Sequence, residues 1–140
     1  MSTAETYRDM VDARAGGCCE YCRLLAIATG VTFHIEHIQP ESRGGSTIFE
    51  NLALSCPGCN LAKGTRTKGS NLSPEATELF NPRHYTPRLL GWHLHFELNR
   101  QTGVIMPRTA VGTATIVTLN MNAAPRVFAR RIQIRAGLIG

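Results

Sequence analysis

Two matched cysteine pairs decide the reading of this chain: Cys19-Glu20-Tyr21-Cys22 and Cys56-Pro57-Gly58-Cys59. Between them run Phe33-His34-Ile35-Glu36-His37-Ile38-Gln39-Pro40, then Ser42-Arg43-Gly44-Gly45, then Glu50-Asn51-Leu52. Asn60-Leu61-Ala62-Lys63-Gly64 follows at once. A Cys-x-x-Cys turn offers two thiolates from one tight bend, and two such turns complete a tetrahedral site for Zn2+. Four thiolates leave no open position for substrate, so an ion held by Cys19, Cys22, Cys56 and Cys59 is expected to be structural. The separation of the pairs is too long for a compact zinc ribbon, so a whole structural unit must fit between them. Cys18 lacks the two-residue spacing to Cys22 and reads as a bystander. The alternative for the quartet is a set of free or redox-active thiols.

The residues between the pairs bear on chemistry. Val31 to Ile38 is rich in β-branched and aromatic residues and reads as a strand. Pro40 and Gly44-Gly45 mark a loop, and Leu52 to Ser55 reads as a second strand. Cys59 to Lys63 opens a short helix that Gly64 closes. Glu36 and His37 are neighbours on the first strand, so they point to opposite faces unless the strand twists strongly or ends there. Pro40 favours an end. Phosphodiester hydrolysis needs a base for water, a divalent cation to offset phosphorane charge, and a group that fixes the base. His37 suits the first task, because imidazole titrates near neutral pH. Glu36 and Asn60 offer hard oxygens for Mg2+ or Mn2+, and Asn51 offers an amide to pin the loop and aim His37. His34 reads as a partly exposed strand residue, not a ligand.

Order and spacing together resemble the HNH endonuclease family. The matching residues are Cys19-x-x-Cys22, Glu36-His37-Ile38-x-Pro40, Ser42-x-Gly44-Gly45, Asn51-Leu52, Cys56-x-x-Cys59-Asn60 and Lys63-Gly64. The resemblance implies a ββα-metal core. It implies His37 as general base, Glu36 and Asn60 as ligands of the catalytic cation, and a structural role for Asn51. Two positions depart from the commonest pattern: Glu36 stands where many members have Asp, and Asn60 where many have His. More weakly, Leu79-Phe80-Asn81-Pro82-Arg83, Trp92 with His95-Phe96, Gly112-x-Ala114-Thr115 and Asn120-Met121-Asn122 resemble the C-terminal extension of a bacterial subgroup.

The rest of the chain agrees in outline. A length of 140 residues suits a single compact unit. The expected division is an α+β zinc-stapled core at 1–68, opened by a helix near 4–15, and a small C-terminal extension at 69–140. Ser2-x-x-Glu5 resembles a capping box, and Ser73-Pro74 marks a turn. Phe96 to Met106 reads as a hairpin, with helices near 110–120 and 123–137. Trp92 and Phe96 read as core anchors.

Net charge is +5 and the pI about 9.3, which favours a polyanionic partner. No acidic residue follows Glu97, whereas Arg100, Arg108, Arg126, Arg130, Arg131 and Arg135 do. Such arginines suit phosphate contact, set opposite an apolar helix face that includes Phe128 and Ile132. Arg43, Lys63, Arg66 and Lys68 are nearer candidates for phosphates beside the cleaved one. DNA is the expected partner, with RNA open. One active centre cuts one strand, so a monomer would nick and a homodimer could cut both. No secretory pattern or membrane span is legible, and the expected compartment is the cytoplasm. The rival reading is a zinc-dependent nucleic-acid-binding module without catalysis.

Overall fold

Helix α1, Arg8–Ala15, is entered through a 3-10 turn at Ala4–Tyr7. The Thr6 hydroxyl fastens that turn, accepting from the Thr3 N–H at 3.3 Å and donating to the Thr3 carbonyl at 2.7 Å. Val11 is the fully buried residue of α1. Arg14 reaches from the same helix to the carbonyls of Phe49 and Leu52 and lies over the Phe49 ring. The computed structural model describes residues 3–69, 77–84 and 91–140. The expected cap at Ser2 and the turn at Ser73-Pro74 lie outside the described residues.

Strands β1, His34–His37, and β2, Leu52–Ser55, pair antiparallel, with Glu36 opposite Ala53 and His37 opposite Leu52. Helix α2, Pro57–Lys63, follows β2 directly. This is the expected ββα order. The first strand is shorter than its composition predicts, because β2 supplies only four partner positions between the 3-10 turn at Phe49–Asn51 and the helix cap at Cys56. All of β2 is buried. It lies between β1 and the first cysteine turn, whose Glu20 donates its N–H to Leu54 O and accepts the Leu54 N–H on its side chain, both at 2.9 Å.

Helix α3, Gly91–His95, was not legible in the sequence. It runs into the hairpin of β3, Phe96–Leu98, and β4, Ile105–Pro107. Asn99 shapes the turn: its side-chain oxygen accepts from the N–H groups of Gln101 and Thr102. Helices α4, Ala110–Leu119, and α5, Ala124–Arg135, complete the chain. Thr109 caps α4 by accepting from the Gly112 N–H at 3.1 Å.

Apolar residues of both halves share one buried cluster, from Val11, Leu52 and Leu54 to Phe80, Trp92, Phe96 and Leu119. Trp92 and Phe96 are buried there, as expected of core anchors. The Trp92 indole donates to Tyr21 O at 2.8 Å, and Phe80 meets Tyr21, His95 and Phe96 edge to face.

Helix α5 corrects the sequence reading. Phe128 and Ile132 face solvent, while Arg130 is fully buried and Gln133 nearly so. The inward stripe is Arg126, Arg130 and Gln133, at i, i+4 and i+7. The reason is what the helix packs against: the backbone of the first cysteine turn and the thiols, which call for donors and not methyl groups. Gln133 both accepts the Leu25 N–H at 2.8 Å and donates to Leu25 O at 3.2 Å. Arg126 and Arg130 are therefore not part of a solvent-facing phosphate stripe. Nor are the remaining arginines all unopposed, since Arg108 lies 3.8 Å from Glu97. Among the described residues no helix is long and apolar enough to cross a membrane.

Candidate metal centre and catalytic cleft

The four cysteines converge. Cys19 and Cys22 come from the turn after α1, Cys56 caps α2, and Cys59 lies in its first turn. All four are buried, and their sulfurs lie within 4.8 Å of one another. Cys22 and Cys56 Sγ are 3.5 Å apart. Zn–S bonds of roughly 2.3 Å in a tetrahedron need sulfurs about 3.8 Å apart, so the donor set fits zinc. Each pair is also preformed locally: Cys22 N–H points at Cys19 Sγ (3.4 Å) and Cys59 N–H at Cys56 Sγ (3.3 Å). Pro57 at the start of α2 has no N–H to waste, which suits that position.

The protons on this quartet are in conflict. Hydrogen bonding to Cys19 holds the Cys22 and Cys56 thiols below the usual thiol range. Burial pushes Cys19 well up, and crowding by its three neighbours, Cys19 foremost, does the same to Cys59. Four thiolates cannot coexist at this spacing by themselves, and a divalent cation removes the conflict. Cys18 stands apart, half-buried and bridged to Leu25.

Behind this centre, Glu36, His37 and Asn60 line one open cleft of about 340 Å³, together with Pro40, Glu41, Ser42, Gly64 and Thr65. The strand ends at His37, which lets neighbours on opposite faces border the same space. Glu36 is 6% exposed, and both its oxygens are held. The Tyr21 hydroxyl donates to Oε1, and Lys63 Nζ lies 3.1 Å from Oε2. Burial pushes the Glu36 carboxyl up, against the opposing pull of the Lys63 ammonium and the Tyr21 hydroxyl. Each carboxylate oxygen has a second lone pair, so a cation on the cleft side remains chemically compatible with these partners.

Lys63 itself is a correction. Expected on the surface, it is 2% exposed and donates to Ile38 O at 3.2 Å as well as pairing with Glu36. An ammonium so enclosed is not placed to meet a phosphate backbone. Arg43, Arg66 and Lys68 are exposed as expected, Lys68 lying 3.8 Å from Glu78 in a solvent-facing pair.

Two further groups surround His37. Its Nε2 is 2.9 Å from Thr47 Oγ1 and 3.8 Å from Glu41 Oε1. Neither residue was singled out in the sequence. The signal available was only their position in the loop flanking Gly44-Gly45. Asn51 stands apart from the cleft lining and ties that loop: Oδ1 accepts the Gln39 N–H at 2.9 Å, and Nδ2 donates to Gln39 O at 3.0 Å and Ser46 O at 2.9 Å. Gly45 lies against the same crossing. A Cβ there would fall 1.8 Å from Gln39 O, which excludes any side chain. His34, expected to be partly exposed, is exposed.

Residues 19–66 match the family described as HNH endonuclease. That interval begins at the first cysteine of the quartet and takes in β1, β2, α2 and the cleft. Comparison with curated proteins found no match, and comparison with solved structures found none.

Proposed function

We propose that this chain, whose residues 19–66 match the HNH endonuclease family, is a divalent-cation-dependent endonuclease acting on DNA. The observation that carries the proposal is the shared cleft: an imidazole and a carboxylate from β1 and an amide from α2 border one space.

His37 serves as general base. In the tautomer that donates Nε2–H to Thr47, the neutral imidazole keeps its lone pair on Nδ1, free to take a proton from water. The Glu41 carboxylate favours the same tautomer and then faces the imidazolium, weakly because its side chain is 69% exposed. Asn51 acts as a positioning residue by fixing the loop that carries Thr47. A divalent cation bound by Glu36 and Asn60 would offset charge on the scissile phosphate and the leaving oxygen. A zinc in the quartet would tie α2, and hence Asn60, to the first cysteine turn, and the Lys63–Glu36 pair joins α2 to β1. Arg43, Arg66 and Lys68 offer solvent-facing charge for flanking phosphates.

The test is incubation of labelled single-stranded DNA, duplex DNA, branched DNA and RNA with the zinc-loaded protein and Mg2+, Mn2+ or Ca2+ in turn. Cleavage products on DNA with Mg2+ or Mn2+ are expected. Retarded but intact DNA under every ion would replace this reading with the non-catalytic binding module. Cleavage of RNA alone would keep the chemistry and overturn the substrate.

A further inference from the structure

The C-terminal half of the chain places two arginines against the cysteine quartet. From α5, Arg126 Nη1 donates to Cys59 Sγ at 3.0 Å, while Nη2 binds the carbonyls of Leu119 and Asn120 at the end of α4. The guanidinium lies over Gly58: a Cβ at that glycine would sit 3.1 Å from both Cζ and Nε of Arg126. The second cysteine turn therefore has a bare backbone where the cation rests. One helical turn on, Arg130 is fully buried. Its Nε donates to Gly103 O at 2.7 Å, Nη1 to Cys22 O at 3.4 Å, and Nη2 to Met121 O at 2.9 Å and Asn122 Oδ1 at 3.1 Å.

None of these partners is a carboxylate. Nor does any Asp or Glu follow Glu97 in the sequence. Enclosing a guanidinium with carbonyls alone leaves its charge without an opposite, which is costly. The quartet supplies the missing charge. Four thiolates around Zn2+ carry a net charge of −2, and two arginines match it. We infer that Arg126 and Arg130 are the counter-charges of the metal tetrathiolate, and that the α4–α5 pair folds onto the core as a cover whose seating depends on the metal. This gives the extension a role that is independent of nucleic acid. It rests on metallation of the quartet and not on phosphodiester cleavage, so either reading can fail alone.

The experiment uses the full zinc-loaded chain. Zinc transfer to an excess of a chromogenic chelator is timed for the parent, Arg126→Met and Arg126→Lys. Groups that orient metal ligands typically contribute 10- to 100-fold in affinity, and loss of Arg126 is expected to speed release by about that factor. Arg126→Lys keeps the charge while losing the fork to Leu119 and Asn120, so it should release more slowly than Arg126→Met. Release from Arg126→Met at the parent's rate would overturn the inference, and equal rates for Met and Lys would overturn its charge argument. If Arg126→Met does not fold, amide exchange of the parent before and after zinc removal decides. Protection of α5 and of residues 119–122 should disappear together with that of the two cysteine turns; protection that survives in α5 would overturn the metal dependence.

Discussion

His37→Ala is expected to lower nicking of supercoiled plasmid by about 100-fold or more in Mg2+ or Mn2+, the lower end of what a positioned general base contributes. The fold should tolerate the change. Nε2 of the ring meets Thr47 and Glu41 in the adjoining loop, and neither the cysteine quartet nor the buried Glu36–Lys63 pair includes this residue. Zinc content and the thermal transition should therefore match the parent. Unchanged nicking by a zinc-replete His37→Ala protein would remove His37 as the base. Loss of activity together with zinc would show that the substitution acted on the scaffold instead.

Lys63→Met should have the largest effect on stability. Removing one partner of an enclosed ion pair leaves an uncompensated charge, at a cost of about 3–5 kcal/mol. Here Glu36 would keep only the Tyr21 hydroxyl. The pH dependence has a definite sign. Burial already raises the Glu36 carboxyl in the folded protein, and loss of the ammonium raises it further. A carboxyl with a raised folded-state pKa favours folding below its unfolded pKa and loses that contribution as pH climbs through the folded value. The deficit of Lys63→Met should thus be smaller at about pH 5 than at about pH 8. Adding Glu36→Gln should restore part of the loss, measurable by urea unfolding. A surface phosphate contact would behave differently: stability within about 0.5 kcal/mol of the parent, and a salt slope of DNA binding lower by about 1.

The contrast between Lys63 and Cys59 shows how far the sequence could be read. Thiols in Cys-x-x-Cys pairs declare their partners through spacing, so the quartet and the ββα order were legible. Lys63 shares its helix with Cys59, but nothing in the sequence separates a lysine that reaches solvent from one that reaches back to Glu36 and Ile38. That outcome depends on which face of α2 meets β1. The same limit applies to Thr47 and Glu41, which approach His37 only because Asn51 folds the loop across Gly45. Helix α5 misled for a specific reason. Periodicity assigns the apolar stripe inward, and that holds when the surface beneath is apolar. Beneath α5 lie carbonyls and sulfur, so Arg126, Arg130 and Gln133 turned in and Phe128 and Ile132 turned out. Over its described residues, Gly91–His95, helix α3 shows too short a pattern to register.

The most direct test of the account is plasmid nicking and zinc content measured on one sample, first in EDTA at a dose that leaves the quartet metallated, then after adding Mg2+ or Mn2+. No nicking is expected in EDTA with about one zinc per chain retained, and the added cation should restore it. Nicking that continues in EDTA, or that follows zinc content and ignores added Mg2+ and Mn2+, would contradict a separate exchangeable cation at Glu36 and Asn60.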